Sequence, residues 1–321
     1  MNNPMDRRDA LKLVAGTTAG LLFAPGAACA RGIAGGSAAA GTAVAQQAQA
    51  TLITKAIPSS GERIPVIGIG TARRYGAVTP ELVEVIRNLP KLGGRLIDTA
   101  PSYGSAETVV GELVAQAGNR DQLFLATKVG DGGQGAAAGI AEMEEGFRRL
   151  KTNRIDLMQI HNLGGVAVML PILRDWKKAG RIRYYGVTTS SDRQYSQLED
   201  VLKSEPMDFV QIDYAIDNRN AEERILPLAK DKGVAVLVNL PFGRGRVFEK
   251  FGQQPVPDWA KEMGIQTWAQ FALKYLVSHP AVTAAIPGTA TMAYLADNIG
   301  AARGTLPDEA TRRKMAAMVD G

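Results

Sequence analysis

The sequence predicts an α/β protein built as a (β/α)8, or TIM, barrel. Three observations predict it. From residue 51 onward, short β-rich runs alternate with longer helical segments, the pattern of βα units around a parallel sheet. The number of such units is eight. No linker-like stretch divides residues 51–321, and barrels of this size form as one domain.

The units follow in order. Residues 64–70 (IPVIGIG) read as the first strand. Thr79 is placed to cap the next helix, with Pro80 in its first turn, where a missing N–H costs little. Strand 95–98 with helix 106–116 is the second unit, 123–128 with 140–150 the third, and 155–161 with 166–178 the fourth. Strand 184–188 with helix 192–204 is the fifth, and 209–213 with 221–232 the sixth. Strand 234–240 precedes helices within 259–278, strand 282–286 precedes helix 292–302, and helix 308–318 closes the chain.

The first 50 residues do not fit this pattern. Arg7-Arg8 precede a mildly apolar stretch, residues 11–24, then Pro25-Gly26 and the small-x-small sequence Ala28-Cys29-Ala30. The stretch is too short and too diluted to span a bilayer, which needs about 20 apolar residues. Paired arginines, weak hydrophobicity and an A-x-A end resemble a twin-arginine export signal. The expected organisation is a signal peptide over 1–30, a flexible linker over 31–50 and a barrel domain over 51–321. The implied partner is the twin-arginine translocase, through Arg7 and Arg8. The implied location is periplasmic or exported, with no stable membrane anchor.

Composition narrows the function classes. The chain has 321 residues, 37 Lys+Arg against 32 Asp+Glu, and a net charge of +5. The basic residues are spread along the chain, so a nucleic-acid partner is not expected. A hydrophobic fraction of 45% excludes a disordered chain. The single cysteine, Cys29, lies in the signal, so the mature chain has no thiol for a disulfide or a Cys-based zinc site. No metal site is expected.

In a parallel barrel, chemistry gathers at the carboxyl ends of the strands. The second strand ends in Asp98, with Tyr103 five residues on; the third ends in Lys128; the fourth ends in His161. A lysine at a buried strand end needs a counter-charge, and Asp98 supplies one. A charged Lys128 beside Tyr103 is expected to lower the tyrosine's pKa from about 10. His161 is placed to hydrogen-bond a carbonyl oxygen. These parts suit carbonyl reduction, with a proton from Tyr103.

The segments GGRLIDTAPSYGSAETVVGELV, LFLATKVG, RIDLMQIHN, YYGVTTS and IPGTATMAYLADNIGAA resemble the aldo-keto reductases in order and spacing, over residues 60–305. The resemblance implies a (β/α)8 fold, a nicotinamide cofactor and a tetrad of Asp98, Tyr103, Lys128 and His161. It also implies a carboxamide site at Asn162, Thr188, Thr189 and Gln211. A pyrophosphate loop is implied at Gly243, Arg244 and Gly245, and an adenosine clasp at Gly288, Thr289, Asp297 and Asn298. Asn239 stands where the family usually stacks an aromatic ring on the nicotinamide, and Phe242 is the nearest substitute. Gly288 and Tyr294 stand where many members carry Lys and Arg for a 2′-phosphate. NADP is slightly preferred over NAD.

The implied reaction is reduction of an aldehyde or ketone to an alcohol, or its reverse, on a small molecule. The alternative is a nicotinamide-binding redox sensor or subunit with little turnover. Tyr75 and Trp259 are expected near the mouth, and Arg73-Arg74 are suited to an anionic or polyhydroxylated substrate. His279, before Pro280, is expected to pair with a helix dipole.

Overall fold

The structure, a computed structural model, describes residues 51–321. The export signal and linker expected over residues 1–50 lie outside the described residues.

Residues 64–70 do not form one strand. β1 (Thr54–Ala56) and β2 (Arg63–Pro65) make an antiparallel hairpin in which Thr54 faces Pro65. Only β3 (Ile69–Gly70) enters the barrel. Pro65 has no N–H to continue a ladder, so the run breaks after it. Alternation alone did not say which half of the run would pair with which neighbour.

Eight parallel strands are neighbours in sequence and in space. They are β3, β4 (Leu96–Asp98), β5 (Phe124–Val129), β6 (Ile155–Ile160), β7 (Ile182–Thr188), β8 (Phe209–Asp213), β9 (Ala235–Asn239) and β10 (Val282–Ala285). The barrel closes through the segment around β3. Gly68 N donates to Ala285 O at 2.9 Å, Ala285 N to Val66 O at 2.9 Å, and Gly70 N to Pro287 O at 3.0 Å. Closure removes the exposed edges an open sheet would present.

The period of two sorts the side chains. Leu96, Ala126, Leu157 and Phe209 lie in the interior apolar cluster. Their sequence neighbours Ile97, Leu125, Met158 and Val210 face outward into the layer beneath the helices. Two residues beyond the interior set, one step toward the carboxyl ends, stand Asp98, Lys128, Gln159 and Gln211, all buried. The barrel interior therefore changes from apolar to polar within one side-chain layer. At the other end, Ile57 and Ile64 of the hairpin belong to the interior cluster and plug it.

The outer layer is α1 (Pro80–Asn88), α2 (Ala106–Ala117), α3 (Ala136–Arg149), α4 (Val166–Lys178), α5 (Tyr195–Ser204) and α6 (Ile225–Asp231). It continues with α7 (Arg246–Phe251), α8 (Asp258–Glu262), α9 (Trp268–Ser278), α10 (Met292–Gly300) and α11 (Glu309–Asp320). α1 begins as read, with Thr79 Oγ1 accepting from Leu82 N at 3.2 Å. α5 and α6 begin later than expected, because the 3-10 turns Asp192–Gln194 and Asn220–Glu222 take the first residues. α7 was not anticipated. Among the described residues, no helix is long and apolar enough to cross a membrane.

Candidate active site

The polar layer is organised around Asp98. Lys128 Nζ donates to Asp98 Oδ2 at 2.6 Å and to Thr99 O at 2.8 Å. Gln211 Nε2 and Gln159 Nε2 donate to the other carboxylate oxygen at 2.8 and 3.3 Å. Asp98 and Lys128 are each only 2% exposed. Burial works against the Lys128 ammonium, but the Asp98 carboxylate outweighs it, and the Lys128 pKa is raised. The expected ion pair is thus formed, and the ammonium is held charged.

Tyr103 ends a 3-10 turn, Pro101–Tyr103, directly after β4. Lys128 Nζ lies 5.0 Å from the centre of its ring. The His161 ring meets the Tyr103 ring edge-on at 5.9 Å, and Ser102 Oγ is 3.3 Å from His161 Nδ1. The expected fall in the Tyr103 pKa does not occur. Burial raises it, and the opposing pull of Lys128 only moderates the rise. The strand-end position showed the charge but not how far the phenol is withdrawn from water. His161 is pushed down to about 4, first by burial and then by Lys128, so the imidazole is neutral at physiological pH.

These groups open on a cavity of about 540 Å³ at the carboxyl ends of the strands. Of the residues assigned to a cofactor, Asn162, Thr188, Gln211 and Arg244 line it. Thr188 Oγ1 accepts from Asn162 N at 3.0 Å, and Arg244 Nη2 donates to Ser190 O at 3.1 Å. Thr189 is turned away and donates to Gln194 Oε1 at 2.6 Å. Asn239 lines the cavity, with Nδ2 donating to Thr189 O at 3.0 Å and a buried Oδ1 left without a partner among the described residues.

Gly243, Arg244 and Gly245 form one tight turn with φ of 56°, 60° and 106°. A side chain at Gly243 would overlap the Asp217 carboxylate, which itself accepts from Arg246 Nε at 2.6 Å. Gly288, Thr289, Asp297 and Asn298 lie beyond the cavity lining. Gly288 is exposed and bridges to Gly70. Asn298 Nδ2 donates to Thr289 Oγ1 at 2.8 Å, and its own Oδ1 is buried without a partner among the described residues. Asp297 Oδ1 accepts from Thr267 Oγ1 at 2.8 Å and Gln270 Nε2 at 3.0 Å, tying α10 to α9.

Several expectations are corrected. Tyr75 is not at the mouth; it is buried, with its hydroxyl donating to Thr289 O at 2.9 Å. Trp259 packs edge-on to Phe271, and Phe242 packs on Phe248 at 5.0 Å. His279 carries no charge for a helix dipole, because burial and Arg312 push it down to about 4. Sequence reasoning missed Ser102, Gln159 and Ser190. Gln159 had a signal, since it is the inward position two residues before His161.

A family model described as the Aldo/keto reductase family matches residues 66–316. The chain belongs to that family. It is accordingly an NAD(P)-dependent oxidoreductase. The reductase is 31% identical over 216 residues to the aldo-keto reductase YhdN of Bacillus subtilis, a match covering 62% of this chain and 64% of that protein. It therefore spans less than two thirds of that relative. It is 30% identical over 252 residues to the methylglyoxal reductase YeaE of Escherichia coli, covering 76% and 88%. Among solved structures, an aldo/keto reductase from Klebsiella pneumoniae in complex with NADP and acetate matches at TM-score 0.68 and 25% identity, covering 81% and 93%. An aldo-keto reductase from Bacillus halodurans in its holo form matches at TM-score 0.67 and 25% identity, covering 84% and 96%.

Proposed function

We propose that the reductase interconverts a small aldehyde or ketone and its alcohol with NADP(H), Tyr103 being the proton donor in the direction of reduction. One observation carries this reading: a charged, buried Lys128–Asp98 pair lies beneath a partly buried tyrosine and a neutral histidine, all at one cavity.

The residues fit a nicotinamide dinucleotide. The orphaned Asn239 Oδ1 is an acceptor in the cavity wall, suited to a carboxamide NH2, and Asn162 and Gln211 offer further amides beside it. The Gly243–Gly245 turn and Arg244 suit a pyrophosphate. The family structure in complex with NADP supports NADP(H) as the cofactor. When bound, the reduced nicotinamide supplies hydride to the carbonyl carbon.

The chain's own residues do the rest. The raised pKa keeps Tyr103 protonated near neutrality, so a proton is available for the developing alkoxide. Lys128 stabilises the tyrosinate left behind, which then recovers a proton from solvent. Asp98 and the two glutamines hold the ammonium in place. Neutral His161 orients the carbonyl oxygen by donating a hydrogen bond from the ring nitrogen that Ser102 leaves free.

The test is Tyr103→Phe, assayed by loss of NADPH absorbance with a panel of aldehydes. Turnover is expected to fall by about 10²–10⁴, the size of a general-acid contribution, with the NADPH dissociation constant unchanged. An unaltered rate overturns the assignment.

We also propose that residues 1–30 direct export by the twin-arginine route. The support is the Arg7-Arg8 pair ahead of a weakly apolar stretch and an A-x-A end. Replacing both arginines with lysine should leave the protein in the cytoplasm on cell fractionation; unchanged export would sink the idea.

A further inference from the structure

The loop after β3 presents a charge that the reading above does not use. Arg73 lines the cavity and is exposed. No described residue is paired with its guanidinium. Its backbone stands at φ 69°, a left-handed conformation that side chains other than glycine rarely adopt. Such strain persists where the surroundings enforce it, and it gathers at ligand-binding sites.

The surroundings of Arg73 enforce it from both ends. Before it, Thr71 is buried and its N–H donates to Asp98 O at 3.1 Å. After it, buried Tyr75 is anchored to Thr289 O. One residue further, Gly76 O accepts from Ser105 Oγ at 2.7 Å. The loop is therefore held between the turn that carries Tyr103 and Thr289, a residue expected in the adenosine clasp, while the cavity-lining residues suited to the cofactor follow β6 to β9. Arg73 stands on the proton-donor side.

The cavity's charges are Arg73, Arg244 and Asp98. Asp98 is neutralised by Lys128, and Arg244 belongs to the turn suited to the pyrophosphate and donates to Ser190 O. Arg73 thus has one positive charge with nothing to balance it. Resting on the functional reading above, we propose that Arg73 is an anion subsite for the substrate, and that the reductase prefers short carbonyl compounds carrying one carboxylate, that is, oxo acids. A guanidinium presents two parallel N–H donors matched to a carboxylate. One unshared guanidinium matches one negative charge, which favours a carboxylate over a phosphate dianion.

The experiment compares 4-oxobutanoate with butanal, two four-carbon aldehydes that differ in the carboxylate. The full chain is assayed at saturating NADPH. kcat/KM is expected to favour the oxo acid at least tenfold, and Arg73→Gln should bring that ratio to near one. Arg73→Gly, which suits the φ of 69°, should lose the same discrimination while keeping the melting temperature, so the loss is not unfolding. Equal kcat/KM for the two aldehydes in the parent enzyme overturns the subsite but leaves the reductase reading standing. A rise in the KM for NADPH alone in Arg73→Gln also overturns it, by assigning the charge to the cofactor. If neither aldehyde turns over, binding of 4-hydroxybutanoate to the NADP-loaded protein decides. A tenfold weaker Kd in Arg73→Gln supports the subsite; an unchanged Kd overturns it.

Discussion

Replacing Asp98 by asparagine keeps the volume of the side chain but removes its charge from a buried site. Lys128 Nζ would keep Thr99 O at 2.8 Å and lose the one carboxylate that pairs with it among the described residues. Gln159 and Gln211 would donate to a neutral oxygen or meet an NH2 group. Removing one partner of a buried ion pair costs about 3–5 kcal/mol, because the other charge stays buried and uncompensated. For a chain of this size each kcal/mol moves the melting temperature by about 2–4 °C, so Asp98→Asn should melt roughly 6–20 °C lower. The double variant Asp98→Asn/Lys128→Met removes both charges and should recover part of this loss. The coupling read from the two singles and the double should be about 2 kcal/mol or more. The assay is thermal and urea unfolding of all four proteins, each free of cofactor, since bound cofactor adds stability by mass action. A shift under about 2 °C for Asp98→Asn, or additive losses in the double, would refute a buried charged pair.

Two other predictions concern pH and the glycine turn. His161 and His279 both have folded pKa values of about 4 against an ordinary 6.5, so the unfolded chain binds protons first as pH falls. Their contribution is intact above about pH 6.5 and is lost progressively toward pH 4; a melting temperature that stays level across that window would contradict it. By the same shift, kcat/KM should show no inflection near pH 6.5 from His161, and pH-rate profiles check this. Gly243→Ala must displace the Asp217 carboxylate and strain a φ of 56°. Overpacking of this kind costs about 1–3 kcal/mol of folding stability, and because it distorts the turn suited to the pyrophosphate, NADPH should bind more weakly, measured by fluorescence titration, with the barrel still folded.

Much of the site was legible because it follows from a period of two. Once β5 is a strand with Phe124 and Ala126 inward, Lys128 must also face inward, and Asp98 follows Leu96 by the same rule. Helix starts were legible where a cap is local, as at Thr79, where hydroxyl and N–H are three residues apart. The hairpin plug was not legible. Ile57 and Ile64 look like any apolar strand residues until the barrel shows an open end to fill. Asp297 likewise reads as a ligand group until α9 supplies Thr267 and Gln270 to hold it.

The chain's periodicity and strand ends by themselves determined an eight-unit barrel and the four residues that converge at its mouth. These depend on interactions within a few residues and on one topological rule about strand ends. Tertiary structure alone decided the protonation of Tyr103 and His161, the free charge of Arg73 and the turning-away of Thr189. Each depends on burial and on partners from distant strands. Desolvation outweighed the Lys128 charge at Tyr103, and no reading of neighbours along the chain measures desolvation.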